Sequence, residues 1–102
     1  MSILETRGGY PHILRETFTT TGRGHSLRGF SKWICIRAST NPCKAYFKEE
    51  DFDNDTNYIG VPVPSASTPY GEWKGPIETN TIWIKGDGGS SDVEFIAIMR
   101  LN

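Results

Sequence analysis

Long apolar runs are missing from this chain. None approaches the roughly 20 consecutive apolar residues that carry a helix across a bilayer, so no helical membrane span is expected. The first residues lack a basic stretch followed by an apolar one, so no secretory leader is expected either. Cysteine is scarce: Cys35 and Cys43 are the only two. A structural zinc usually takes four ligands, and neither His12 nor His25 has ligand spacing to a cysteine. No metal centre and no cofactor is expected from them. Both thiols read as reduced small hydrophobes, set across a hairpin whose turn lies near Ser39-Thr40-Asn41-Pro42.

Catalytic motifs are equally scarce. There is no G-x-S-x-G elbow. His25 and Ser26 are adjacent, but neighbours on a strand or loop point apart, which leaves the serine without a base. Carboxylate pairs such as Glu49 with Glu50, or Glu72 with Glu78, would need a cleft to hold a sugar, and 102 residues rarely build one. Gly22-Arg23-Gly24 and Arg28-Gly29 lack the lysine and helix start of a phosphate loop. They also lack the interleaved aromatics of a nucleic-acid site. An enzyme, a nucleic-acid binder and a membrane protein are therefore not expected, nor is a small-molecule substrate.

Charge is present but unevenly divided. Residues Met1 to Lys44 hold seven Lys/Arg against two acids, and Ala45 to Asn102 hold four against ten. The net charge of −1 conceals this. Hydrophobic content is low at 36% and aromatic content high at 12%, which fits a small β domain that gains stability from neighbours.

Alternation of apolar and polar residues gives strands at Ile13–Thr20, Phe30–Ala38, Lys44–Lys48, Glu78–Lys85 and Asp92–Leu101. Tyr58–Val63 reads as an edge strand because Pro62 cannot donate to a ladder. A short strand is expected at Gly71–Lys74 inside a long loop. Gly86 to Ser91 is read as a hairpin turn. No convincing helix is seen. The pattern predicts an all-β domain: an antiparallel β-sandwich, jelly-roll-like, or a small barrel. Strong alternation begins after Gly29, so residues 1–29 are expected to be an extended arm and 30–102 the sandwich. The arm carries Arg7, Arg15, Arg23 and Arg28 over Glu5 and Glu16. Its expected partner contacts are those four arginines, with Leu14 and Phe18 as apolar anchors.

Two further clusters stand out. Asp51, Asp53 and Asp55 alternate like the start of a calcium loop. Thr56 stands where the glycine is required and Pro62 where the bidentate glutamate is, so an acidic surface loop is the expectation. Tyr70, Glu72 and Trp73 form an aromatic and acidic cluster. Such a cluster serves as a protein anchor, as a sugar platform, or as a loop tucked over the core.

The layout of Ser31-Lys32-Trp33-Ile34-Cys35-Ile36-Arg37, Ala45-Tyr46-Phe47, Tyr58-Ile59-Gly60-Val61-Pro62-Val63, Gly71-Glu72-Trp73-Lys74-Gly75-Pro76 and Thr81-Ile82-Trp83-Ile84-Lys85-Gly86, closed by an apolar strand ending in Arg100, resembles small virion proteins of tailed bacteriophages. The resemblance implies a non-enzymatic protein that decorates or cements a capsid between its subunits. It implies a dimer or trimer, with the major capsid protein or another virion protein as partner, located in the virion after assembly in the host cytoplasm. No functional residue is carried over by position. Two other functions are open: a carbohydrate- or receptor-binding module of a fibre or tail, resting on Tyr70 and Trp73, and a tail or neck structural protein.

Overall fold

Alternation is strictest in the last strand, and that strand is central to the computed structural model, which describes residues 9–64 and 71–101. Val93, Phe95, Ala97 and Met99 point inward and are buried, while Asp92, Glu94, Ile96 and Ile98 point out. In chain order the elements are β1 (Tyr10–Phe18), β2 (Arg23–Ser26), β3 (Ser31–Ser39), β4 (Cys43–Tyr46), α1 (Glu49–Asn54), β5 (Ile59–Val61), β6 (Glu72–Gly75), β7 (Thr81–Gly86) and β8 (Ser91–Met99).

The strands form two antiparallel four-stranded sheets, ordered β1-β8-β3-β6 and β2-β7-β4-β5. Every sequential link except β4 to β5 passes from one sheet to the other. This is the eight-stranded jelly-roll order, in which two sheets pack face to face as a sandwich. No closed barrel forms. The core between the sheets is built from Phe18, Leu27, Ile34, Ile36, Ile82, Ile84 and Phe95, with smaller residues between them.

The arm expected over residues 1–29 includes 1–8, which lie outside the described residues; from Gly9 on it is not separate from the body. β1 pairs with β8 from Tyr10↔Met99 to Phe18↔Ser91, and β2 pairs with β7. Each is the edge strand of its own sheet. Phe18 is 2% exposed and Leu27 is fully buried, so this segment contributes core rather than only touching it.

Both expected hairpins are crossovers. β3 and β4 lie in different sheets, and so do β7 and β8. The two links pack on each other at one end of the sandwich. The Ser91 hydroxyl donates to the Asn41 carbonyl at 2.6 Å, and the Asn41 amide donates to the Ser90 carbonyl at 2.9 Å. The Asp87 N–H donates to the Pro42 carbonyl at 2.8 Å. Cys35 and Cys43 therefore sit in separate sheets, as free buried thiols.

β5 is an edge strand, as expected, and it ends just before Pro62. The acidic segment expected as a loop contains α1 instead. Glu49, Glu50 and Asp51 occupy its first turn, where carboxylates oppose the positive end of the helix dipole. Asp55 ends it in the left-handed conformation.

Candidate functional site

The outer faces of the two sheets are treated differently. On the β2-β7-β4-β5 sheet, the segment from α1 to Tyr58 folds back over the strands. Tyr46 packs edge-on to Phe52 at 5.4 Å and against Tyr58 at 5.5 Å. Lys85 lies 5.2 Å from the ring centres of Tyr46 and Phe52. The Asp55 carboxylate accepts the Tyr46 hydroxyl and the Lys44 ammonium, the latter at 3.2 Å. Those two hydrogen bonds hold the Asp55 carboxyl below the usual range. Burial, then Asp55, pushes the Tyr46 hydroxyl up.

The three alternating aspartates are not brought together here. On a helix, positions two apart diverge by roughly 200°, so Asp51 and Asp53 do not share a face. Asp51 accepts from the Thr56 hydroxyl and the Asn57 amide, and Asp55 is engaged as above. No metal-binding group of three such side chains exists among the described residues.

The outer face of the β1-β8-β3-β6 sheet has no such cover among the described residues. Its side chains fall in rows across the four strands. One row reads Arg15, Glu94, Arg37, Glu72. Adjacent members are ion-paired: Arg15 to Glu94 at 2.7 Å, Arg37 to Glu94 at 3.4 Å, and Arg37 to Glu72 at 3.1 Å. The Arg37 hydrogen bond, the largest effect, lowers the Glu72 carboxyl. Beyond this row, toward the start of β1, come Ile13, Ile96, Cys35 and Lys74, then Pro11, Ile98 and Trp33. Ile13 is 52% exposed; Ile96, Ile98 and Trp33 are half-buried. On the other side of the charged row lie Thr17, Asp92 and Ser39, lining an open depression of about 360 Å³ with Arg15 and Glu94. Asp92 accepts from the hydroxyls of Thr17 and Thr40, which lower its carboxyl.

A third feature is the end of the sandwich where β1 starts and β8 stops. Tyr10 pairs with Met99, Ser31 also pairs with Met99, and the Arg100 N–H donates to the Phe30 carbonyl at 2.8 Å. These links gather Tyr10, Phe30 and Leu101, each 40–49% exposed. Arg28 is exposed in the preceding loop at φ 42°. His12 and His25 lie just inside this end, their Nε2 atoms 3.0 Å apart.

The structure redistributes the residues singled out from sequence. Arg7 and Tyr70 lie outside the described residues. Leu14 and Phe18 face the core and are not surface anchors. Arg15 is committed to Glu94, and Arg23 pairs with Glu16 while lying over the Phe18 ring. Arg28 is the cation at the exposed apolar end. Trp73 pairs with Ile36, faces inward and packs on the core, so it offers no open platform for a sugar. Sequence reasoning missed Tyr10, Ile13, Phe30 and the ion-paired row. One signal for the outer face was available: β8 carries apolar residues at both parities, Ile96 and Ile98 as well as Phe95 and Ala97.

No family model matches the chain, and neither a curated protein nor a solved structure matches it.

Proposed function

We propose that this chain is a non-enzymatic virion structural protein that decorates or cements a bacteriophage capsid, with the capsid protein as its partner. The observation that carries this reading is the end of the sandwich that exposes Tyr10, Phe30 and Leu101, with Arg28 exposed in the loop before Phe30. Aromatic residues and arginine carry much of the energy at protein interfaces. Two further features support it. The jelly-roll layout is one that virion proteins share with lectins and cupins, which supports the reading only by analogy. The open depressions hold mutually neutralised ion pairs, an arrangement suited to a contact surface.

The test is to purify capsid particles from a lysate of the host that produces the chain and to follow the protein by mass spectrometry. It should co-sediment with the shell. The Tyr10→Ala/Phe30→Ala variant should stay in the soluble fraction with an unchanged thermal midpoint. A protein that never co-sediments with particles, or a variant that does so as well as the natural chain, would overturn the reading.

A further inference from the structure

We infer that the outer face of the β1-β8-β3-β6 sheet is a self-complementary surface that docks a second copy of this chain, face to face, about a two-fold axis running along the strands between β8 and β3. This goes beyond shell binding and does not rest on it, because it uses a different surface.

The argument starts from the order of charges. Across the sheet the row reads plus, minus, plus, minus: Arg15 on β1, Glu94 on β8, Arg37 on β3, Glu72 on β6. A two-fold axis along the strands exchanges β8 with β3 and β1 with β6. It sets Arg15 over Glu72 of the second copy and Arg37 over Glu94 of the second copy, each contact occurring twice. An axis along the row would instead set like charges over each other. Electrostatics therefore selects one of the two simple arrangements.

The remaining rows obey the same exchange. Asp92 meets Ser39 and Ile98 meets Trp33, because each pair occupies matching positions on β8 and β3, and Ile96 meets the surface that closes over the buried Cys35. Ile13 meets the methylene stem of Lys74, whose ammonium pairs with Glu72 of its own chain at 3.8 Å. Opposite charges in the full charged row, with apolar or polar pairs on β8 and β3 beside it, are what an isologous interface needs.

The arginines retain donors for a second copy. Within one chain Arg15 bonds Glu94 through Nε, and Arg37 uses Nε and one terminal nitrogen. A guanidinium has five N–H groups in a rigid fork, so the remaining donors are available to carboxylates opposite. Among the described residues the face also lacks the cover that α1, Phe52 and Tyr58 give the other sheet, and it exposes Ile13. Sheets packed face to face sit about 10 Å apart and cross at about 30°, a span that these long side chains can bridge.

The experiment is sedimentation equilibrium of the full chain and of two charge reversals, Arg15→Glu and Glu72→Arg. These residues sit on opposite edges of the sheet and do not contact each other within one chain. The natural chain should dimerise. Each reversal alone should weaken self-association at least about tenfold, since it places like charges together twice. An equimolar mixture of the two variants should dimerise again, because every opposed pair is then complementary. The double variant Arg15→Glu/Glu72→Arg should also dimerise alone, which covers the case in which either single variant folds poorly. A natural chain that stays monomeric at about 100 µM would overturn the inference. So would single reversals that leave the dimer intact, or a mixture and a double variant that both remain monomeric. Loss of shell binding with dimerisation intact would overturn only the capsid reading.

Discussion

His12 Nε2 lies 3.0 Å from His25 Nε2, and this contact ties the edge strand of one sheet to the edge strand of the other. One ring donates its Nε2–H and the other accepts, so the pair needs at least one neutral imidazole. Burial lowers both side chains below their ordinary value. Their mutual repulsion and Arg28 add to this for His12, and Arg23 adds to it for His25. Among the described residues, the charged groups that act on the pair are these two arginines, and Arg23 is itself paired with Glu16.

Acid should therefore loosen this edge. A histidine whose pKa is lowered by folding stabilises the fold fully above the unfolded value of about 6.5. Below that, the unfolded chain takes up protons that the folded chain resists. Stability should fall as pH drops through 6.5 and level off below the folded values. Urea titrations between pH 7.5 and 5 measure this. His12→Gln/His25→Gln should flatten the dependence in that window; an unchanged slope would assign it to other groups.

Tyr46 anchors the cover over the second sheet. Tyr46→Phe removes its hydroxyl bond to Asp55 and should cost about 1 kcal/mol in urea unfolding. Hydrogen exchange should rise for the amides of residues 49–58 and stay constant in β8. The lowered Asp55 carboxyl stabilises above its unfolded value, near pH 4, and that contribution is lost as pH falls through the folded value.

Phe95 is fully buried at the centre of the core. Phe95→Ala should cost about 3–5 kcal/mol, enough to unfold most of a marginally stable domain of this size. Circular dichroism melts would show it as a large fall in midpoint.

Two glycines should behave oppositely. Gly22 has φ +70°, and a Cβ there would clash with the Ile84 carbonyl oxygen. Gly60 has open space around it and ordinary backbone. Gly22→Ala should destabilise by at least about 1–2 kcal/mol, while Gly60→Ala should stay within about 0.5 kcal/mol.

The thiols should be inert in the native state. Burial, aided by Asp87, pushes the Cys43 thiol up to about 12, and burial with Glu72 beside it also raises Cys35. A disulfide reagent at pH 8 should label neither until denaturant is added. Mild oxidation should not join them.

Much of the strand inventory was legible. The segments of β3, β7 and β8 followed from apolar alternation, and the edge position of β5 from Pro62. α1 was not legible, because Glu49–Asn54 has no apolar helical stripe of its own. Its helix is held by dipole-matched acids, by Phe52 against Tyr46, and by Asp55 at its end. β1 was underestimated because its outward residues include Ile13 and its inward ones include His12 and Glu16, which blurs the alternation.

The candidate surfaces show the same division. That β8 is apolar on both sides is a property of nearby residues, readable along the chain. That Arg15, Glu94, Arg37 and Glu72 form one row depends on four strands drawn from positions 15 to 94. Alternation with period two is local: it tells which side chains turn inward, and so gives β-sandwich composition and most strand positions. It carries no label for the partner strand. The polar links at Ser39–Pro42 and Gly86–Ser90 are equally compatible with a hairpin or a crossover. Burying Phe18, Leu27, Ile82 and Phe95 between two sheets favours the crossover, and only that non-local packing sets the jelly-roll order.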